Sequence, residues 1–217
     1  MSFEPRFEDL PPLLPVFPLT GVLLLPRGRL PLNIFEPRYL AMTRHALGHG
    51  RLIGMIQPQE GAGDAGEPPI YRTGCAGRIV EFGETPDGRF LITLKGVARF
   101  DVASEPPRQA LFRQVVPDWQ RWRDDLEEDE EDVDRERMLA ALTPFFDRHG
   151  IGADSDVLKS APIEHLVNSL AMACPFSPGE KQALLEAHRT SERAKILTAL
   201  VEMSVASSVT PGGAARN

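Results

Sequence analysis

The front half of the chain is a series of short apolar runs separated by proline and glycine. Pro12, Pro15 and Pro18 are spaced three apart. Because proline in sheets is confined to edges, first positions and bulges, we predict that residues 13–19 form an edge strand, open to pairing with a strand from a partner. The unbroken apolar run at residues 22–25 predicts a second strand, covered on both faces.

One helix and further strands complete the predicted front half. Residues 30–35 extend the chain again, and Glu36-Pro37 opens a helix over residues 36–49, since proline favours the first helical position. Asp87-Gly88 supplies the positive φ that a tight hairpin turn requires. The other predicted strands are 51–57, 71–73, 75–82, 90–94, 97–102 and 111–117.

In the back half the apolar period changes to nearly four. Met138, Leu142 and Phe146 repeat at this spacing, and we expect Pro144 to kink their helix or to end it early. Ser177 and Glu180 flank Pro178 in the arrangement of a capping box, which predicts another helix start.

An acidic run separates the two halves. Residues 124–134 carry nine Asp or Glu and no base, and clustered carboxylates repel by about 1 kcal/mol per close pair even in water, so we expect them to stay solvated. The predicted organisation is an extended N-terminus (1–12), a β-rich lobe (13–120), an acidic linker (121–132), a helical lobe (133–206) and a disordered tail (207–217).

Composition places the chain among ordinary globular proteins. Its 217 residues suffice for a substantial core, and 42% of them are hydrophobic. Cys75 and Cys174 are too few for a disulfide scaffold or a zinc site. The first residues lack the pattern of a signal peptide, and no apolar run approaches the ~18 residues of a membrane helix. We therefore expect a cytoplasmic protein.

The negative net charge of the chain comes from the acidic run. Subtracting the nine charges of the acidic run from the total of −7 leaves +2 for the rest of the chain. The 20 arginines are spread along the sequence rather than gathered in one stretch. This distribution argues against nucleic-acid binding.

Two motifs that mark cofactor or metal sites in other proteins lack the further features that those sites require. Residues 61–66 match G-x-G-x-x-G, but Glu67-Pro68-Pro69 follows in place of the helix that a dinucleotide site requires. His45 and His49 are one helical turn apart without a third metal ligand, so we interpret them as exposed residues near a helix C-terminus. We predict no catalytic residue, no metal site and no cofactor.

Several other short motifs follow one another in a specific order. In the front half they are L-P-V-F-P-L at 14–19, V-L-L-L-P at 22–26, P-L at 31–32, F-E-P-R-Y-L at 35–40, G-R-I at 77–79, D-G at 87–88 and L-K-G-V-A-R-F at 94–100. In the back half they are L-V-N-S-L at 166–170 and P-F-S-P at 175–178. Together they resemble the N-terminal substrate-binding domain of the Lon ATP-dependent protease, in the form of a stand-alone bacterial member.

The resemblance implies an α+β fold, with a PUA-like β pseudo-barrel lobe followed by an all-helical bundle lobe. Family members use this domain to recognise unfolded or tagged proteins. The ATPase motor and the protease domain of Lon are missing from the sequence, so neither activity carries over. The resemblance therefore implies a non-enzymatic module that binds unfolded or partner polypeptides, with Lon or another protease as a further candidate partner.

Phe35, Arg38 and Tyr39 are the candidate peptide-binding residues, because clustered aromatic and arginine side chains suit binding hot spots. Core packing and a helix cap are the alternative explanation for them. Two other functions stay open. An RNA-binding PUA-like protein predicts affinity that falls steeply with salt, and an enzyme requires a convergent pocket of titratable groups.

Overall fold

The computed structural model describes residues 6–59, 68–127, 133–152 and 155–206. Within them, six strands form one sheet: β1 Leu14–Pro18, β2 Arg29–Ile34, β3 Leu52–Ile56, β4 Thr73–Glu84, β5 Phe90–Ser104 and β6 Arg113–Asp118. The helices are α1 Pro37–Gly48, α2 Arg135–His149, α3 Ser155–Ser160, α4 Ile163–Ala173, α5 Pro178–Glu186 and α6 Thr190–Ala206, with 3-10 segments at Phe7–Asp9 and Gln120–Leu126. The α+β class is confirmed. The predicted tail at 207–217 and the G-x-G-x-x-G at 61–66 lie outside the described residues.

Strand β1 lies inside the sheet, whose order is β2-β5-β4-β3-β1-β6. It pairs in parallel with β3 and antiparallel with β6, so the predicted edge strand at 13–19 is wrong. The prolines are tolerated because Pro15 precedes the first residue paired with β3, and Pro18 is the last residue of β1. An edge is formed instead by β2, whose Pro31 suits that position.

The interior of the sheet is filled from several strands at once. The buried core cluster consists of Leu14, Val16, Leu52, Ile56, Ala76, Phe100, Val115 and Trp119. Strand β6 pairs with β1 and also with the end of β5, where Asp101 lies opposite Asp118. The PUA-like pseudo-barrel stays a prediction.

The apolar run at residues 22–25 does not form the predicted strand, although residues 23–25 are buried. The segment passes directly beside Gly96 of β5: the Arg27 N–H donates to the Gly96 carbonyl at 2.9 Å, and the Gly96 N–H donates to the Gly28 carbonyl at 2.8 Å. A Cβ atom on Gly96 would lie 1.9 Å from the carbonyl oxygen of Leu25. Glycine is therefore required where this segment crosses the strand.

A buried ion pair joins β5 to the 3-10 segment that follows β6. The side chains of Arg99 and Asp125 are 4% and 8% exposed, and Arg99 Nη2 lies 2.6 Å from Asp125 Oδ1. Arg99 Nη1 also donates to the carbonyl of Leu185 at 3.0 Å, and its guanidinium carbon lies 3.9 Å from the ring centroid of Trp122. Asp125 belongs to the acidic run, so the expectation that those carboxylates stay solvated is wrong for this one.

The chain forms two compact units that are interleaved in sequence. The first contains Met1–Asp129 and Asn168–Glu186, and the second contains Glu130–Val167 and Ala187–Asn217. The predicted division, with residues 133–206 as one helical lobe, differs from this arrangement.

Helix α5 belongs to the sheet unit and is held there by polar contacts. The predicted capping box is confirmed: the Ser177 N–H donates to the Glu180 carboxylate at 2.7 Å, and the Glu180 N–H donates to the Ser177 hydroxyl at 3.4 Å. Gln57 of the segment after β3 donates to the Pro178 carbonyl at 2.9 Å and to Oε1 of Gln182 at 3.2 Å.

In the second unit α2 packs against α6. Met138, Leu142 and Phe146 are buried as their spacing predicted. Helix α2 does not end at Pro144 but continues to His149, so the predicted early end is wrong, and the kink offered as the alternative stays a prediction. Gly150 closes the helix in the left-handed conformation, with φ of 63°.

Gly96→Ala should destabilise the sheet unit by about 3 kcal/mol, because the new methyl group meets backbone rather than a side chain that can rotate away. Gly83→Ala is the matched control, since a Cβ atom there has nothing within 4 Å. Urea unfolding followed by tryptophan fluorescence measures both. Equal unfolding midpoints for the two variants would contradict the close approach at Gly96.

Arg99→Met should destabilise the same unit by roughly 3–5 kcal/mol, because it leaves the Asp125 carboxylate buried without its partner. The control is Arg89→Met, which breaks the ion pair with Asp87, whose side chains are 50% and 52% exposed. Exposed pairs contribute little, so this variant should unfold like the wild type. A loss of stability as small as the control's would show that Arg99 does not organise the unit.

Candidate functional site

Helix α1 positions two of the three predicted binding residues. Tyr39 in its first turn is 7% exposed, and its ring centroid lies 4.0 Å from that of Phe17 on β1. The guanidinium carbon of Arg38 lies 4.5 Å from the centroid of the Tyr39 ring, and Arg38 Nη2 lies 2.8 Å from a carboxylate oxygen of Glu36. Arg38 and Tyr39 therefore form one cluster, fixed by packing on β1 and by an ion pair at the helix start.

Phe35 is placed differently from the other two residues. It lies between β2 and α1 and is 63% exposed. Scattered exposed apolar residues are normal; Phe35 precedes Arg38 by three residues and Tyr39 by four in the chain.

A cleft of about 90 Å³ opens beside Arg38 and Tyr39. Its walls combine two aromatic rings, three prolines and two arginines. The lining residues are Pro18, Arg38, Tyr39, Pro58, Pro68, Phe112 and Arg113. This volume is well below the ~300 Å³ of a small-molecule site. The cleft therefore suits one side chain of a larger ligand.

Arg113 forms a fixed wall of this cleft. Its position is set by the pairing of β6 with β1, in which it lies opposite Val16. Arg113 Nε and Nη2 donate to the two carboxylate oxygens of Glu105 at 2.7 and 2.6 Å, and Nη1 donates to the carbonyl of Pro68 at 2.8 Å. A bidentate pair of this kind is strong and directional, so the wall is rigid before any ligand arrives.

Sequence reasoning found Arg38 and Tyr39 but missed Phe112, Arg113 and the three prolines. These residues come from four separate places in the chain and meet only because β1 lies between β3 and β6. No local sequence pattern predicts that these residues lie close together. Phe35, the third predicted binding residue, is not among the described residues that line the cleft, and its role stays a prediction.

His45 on α1 lies beside Phe112 of the cleft wall, and His49 directly follows the helix. The rings of His45 and His49 stack with centroids 4.2 Å apart, and the His45 ring lies 5.2 Å from that of Phe112. His49 is exposed as predicted, whereas His45 is half-buried. Burial, and to a lesser degree the charge of His49, lower the pKa of His45 below its ordinary value of 6.5. The neutral imidazole is therefore the form that packs against the cleft wall.

Groups suited to metal or nucleophilic chemistry do not gather in the described ranges. No cluster of three or more His, Cys, Asp and Glu side chains that could hold a metal ion occurs there. Burial raises the pKa of the Cys174 thiol to about 11, although the Lys181 charge opposes the shift. An activated cysteine has a lowered pKa instead.

The described helices are also not membrane-spanning: none of them is both long enough and apolar enough to cross a bilayer.

Most of the chain matches a known protein family. A family model of the ATP-dependent protease La (LON) substrate-binding domain matches residues 13–202. The chain belongs to the Lon substrate-binding domain family. The resemblance seen in the sequence is thereby confirmed.

Curated relatives in the Lon family are much longer proteins. The Lon protease of Anaeromyxobacter dehalogenans is 24% identical over 198 residues, which cover 89% of this chain and 23% of the relative. Lon protease 2 of Sorangium cellulosum is 26% identical over 205 residues, covering 86% of this chain and 24% of the relative. The chain thus spans about a quarter of the length of the curated relatives it matches.

Solved structures share the Lon N-terminal fold. The crystal structure of a Lon N-terminal domain protein from Xanthomonas campestris has a TM-score of 0.62 at 26% identity, covering 86% of this chain and 97% of that one. The N-terminal domain of a Mycobacterium avium complex Lon protease has a TM-score of 0.63 at 15% identity, covering 91% and 100%. The second likeness concerns the fold alone.

Acidic pH should destabilise the sheet unit through His45. In the unfolded chain His45 keeps the ordinary pKa of 6.5, above its value in the fold. The unfolded state therefore takes up the proton first, and stability present above that pH is lost as the pH falls towards the lower folded value. Between about pH 7 and about pH 5.5, the melting temperature of the wild type should fall more than that of His45→Gln.

His188→Gln, on an exposed residue of the second unit, is the control and should keep the pH dependence of the wild type. In an NMR titration, His49→Ala should raise the pKa of His45, because one of the two causes of its lowering is removed. Identical pH profiles for the wild type and His45→Gln would contradict the assignment.

Proposed function

We propose that this chain is a non-enzymatic module that binds unfolded or partner polypeptides, and that the cleft beside Arg38 and Tyr39 receives one of their apolar side chains. The observation that carries the proposal is the cleft lined by aromatic and proline rings, together with Phe35, which is 63% exposed and precedes Arg38 by three residues in the chain. It occurs in a chain whose family is described by substrate binding.

The composition of the cleft suits a flexible ligand. Binding an unfolded segment requires that segment to be ordered, which offsets much of the interaction free energy. A site that is already rigid avoids adding its own ordering cost. Proline rings have little conformational freedom to lose, and the bidentate contact of Arg113 with Glu105 fixes another part of the wall.

The side chains at the cleft also favour protein ligands. Tyrosine and arginine are enriched among residues that dominate protein interfaces. Arg38 presents a cation on a tyrosine face, and a ligand aromatic ring can stack on the same guanidinium plane. These contacts recognise side-chain character rather than a sequence, as a receptor for many unfolded chains requires.

Strand addition at β1 plays no part in the proposed mode of binding. Both sides of β1 are occupied, by β3 and by β6. Binding therefore depends on side-chain contacts in the cleft and on Phe35.

The wider role follows from the relatives. Those compared above are named Lon protease, and we propose Lon or another protease as a partner that acts on the bound polypeptide, in the cytoplasm. We also propose that the sheet closes as a PUA-like pseudo-barrel. The pairing of β6 with both β1 and β5 supports that closure.

Phe35→Ser and Arg38→Ala should each weaken binding of an unfolded polypeptide by roughly tenfold, the effect typical of an interface hot spot. The probe is a protein of near-zero net charge whose cysteines are carboxamidomethylated so that it stays unfolded. Fluorescence anisotropy measures affinity, and binding should depend little on salt. Met203→Ser is the control, because Met203 is similarly exposed, at 64%, but lies on α6 in the second unit.

Two results would overturn the proposal. One is the absence of wild-type binding to the unfolded probe and to a diverse peptide array. The other is tight binding of structured RNA that weakens steeply with salt, which would favour the RNA-binding alternative.

A further inference from the structure

Strand β2 forms an edge of the sheet. In the described part of the chain it pairs with β5 on one side and with no strand on the other. All of its residues, Arg29–Ile34, take part in the ladder with β5. The other side of β2 therefore carries backbone groups that point away from the sheet, and a strand edge of this kind can pair with another chain.

One hydrogen bond fixes which residues of β2 point outwards. The Gly96 N–H donates to the Gly28 carbonyl at 2.8 Å, just before β2 begins. In an antiparallel ladder, residues that exchange hydrogen bonds with the neighbouring strand alternate with residues that do not. The even-numbered residues of β2 are therefore bonded to β5, whereas Arg29, Pro31 and Asn33 direct their backbone groups to the other side.

These outward backbone groups are unused in the described ranges of the chain. Neither the N–H groups of Arg29 and Asn33 nor the carbonyls of Arg29, Pro31 and Asn33 take part in a hydrogen bond there. All three residues are exposed. Pro31 lacks only an N–H that would point away from the sheet, so its ring breaks no bond with β5. We call these N–H and carbonyl groups the open edge.

The apolar face of the sheet is incomplete beside the open edge. Leu30 and Leu32 lie opposite Leu94 and Ile92 of β5, and directly opposed residues point to the same face. Leu94 and Ile92 are 0% and 2% exposed, whereas Leu30 and Leu32 are only half-buried. A further strand along β2 covers both leucines if its residues on this face are apolar.

We infer that the open edge accepts an extended segment of a bound polypeptide as an added antiparallel strand, with apolar residues at alternate positions covering Leu30 and Leu32. The inference rests on the proposed function for the class of ligand. Affinity in strand addition comes from main-chain hydrogen bonds, which every polypeptide can make, as a receptor for unfolded chains requires. The contact is separate from the cleft, because β2 contributes none of the described residues that line the cleft.

A second copy of this chain fits the open edge less well than a different polypeptide does. Symmetric antiparallel pairing of two whole β2 strands places Pro31 opposite Pro31, which leaves both of these carbonyls without a donor. A partner without proline supplies an N–H at that position and uses every group of the open edge. Proline on edge strands protects against self-association, and here it leaves the edge available to another chain.

The first test uses a fluorescein-labelled peptide of Val-Thr repeats, about ten residues long, and fluorescence anisotropy. With valines on Leu30 and Leu32, antiparallel pairing directs the threonine N–H groups at β2. N-methylation of the threonine nitrogens should therefore weaken binding by roughly tenfold, whereas the isomer that is methylated on the valine nitrogens should bind like the unmodified peptide. Equal affinities of the two methylated isomers would overturn the inference.

Substitutions on β2 should change the affinity for the same peptide in opposite directions. Asn33→Pro removes an outward N–H and should weaken binding by roughly tenfold, whereas Pro31→Ala adds one and should strengthen binding by about threefold. Asn33→Ala keeps the N–H and is the control, with the affinity of the wild type.

Unfolding in urea separates recognition from misfolding. None of the three variants removes a bond to β5, so their unfolding midpoints should stay close to that of the wild type. If Asn33→Pro lowers the midpoint, Pro31→Ala still decides, because misfolding does not raise affinity. Unchanged binding in Pro31→Ala would overturn the inference. A dimer in light scattering that Asn33→Pro dissociates would overturn it too, in favour of a second copy at the open edge.

Failure of this inference is distinguishable from failure of the proposed function. In the assay with the unfolded probe, Arg38→Ala reports on the cleft and Asn33→Pro reports on the open edge. Weaker binding in Asn33→Pro alone overturns the cleft and supports the added strand. Weaker binding in Arg38→Ala alone overturns the added strand and supports the cleft.

Discussion

The buried pair of Arg99 and Asp125 is the interaction on which the sheet unit depends. Three segments far apart in sequence meet at one guanidinium group: β5, the 3-10 segment Gln120–Leu126 and the end of α5. Asp101, opposite Thr73 on the same strand pair, accepts from the Thr73 hydroxyl at 2.8 Å and from the Trp122 indole N–H at 3.1 Å. A buried charge tolerates few alternative arrangements, because each leaves it unpaired. The pair therefore selects one way of covering this face of the sheet.

That constraint explains why the chain is interleaved rather than divided at the acidic run. Arg99 holds the carbonyl of Leu185, and residues before it make further hydrogen bonds within the same unit. Asn168 donates to the Pro26 carbonyl at 3.0 Å, and Lys181 donates to the Gly21 carbonyl at 2.8 Å. Both contacts satisfy carbonyls of the irregular segment between β1 and β2, which has no ladder of its own. Helices late in the sequence thus complete a part of the fold that begins with residue 21.

Local features of the fold were predictable, and non-local ones were not. Proline at the start of α1, the Ser177–Glu180 capping box and the turn at Gly88 act over a few residues, and the structure has all three. The predicted strand at residues 22–25 does not form, because an unbroken apolar run indicates burial but does not require hydrogen bonding within a sheet. In fact the segment is buried beside Gly96 and bonded to it from the side.

Candidate site residues divide in the same way. The pairing of Arg38 with Tyr39 was open to prediction, since the two residues are neighbours at a helix start. Phe112 and Arg113 were not, because their place in the cleft depends on the register of β6 against β1. Asp125 was expected to be solvated because its neighbours in sequence are acidic. It is buried because it pairs with Arg99, which is distant in the sequence.

The placement of β1 between β3 and β6, which the sequence did not predict, also accounts for the rigidity of the cleft. Three of the lining residues are held by the sheet or by a fixed ion pair: Pro18 ends β1, Tyr39 packs on Phe17, and Arg113 of β6 is clamped by Glu105. A ligand therefore meets walls that have already lost their freedom, and the ordering cost of binding falls on the ligand alone. For an unfolded polypeptide that cost is large. A small rigid cleft then gains affinity most readily when a further contact, such as Phe35, engages the same chain at once.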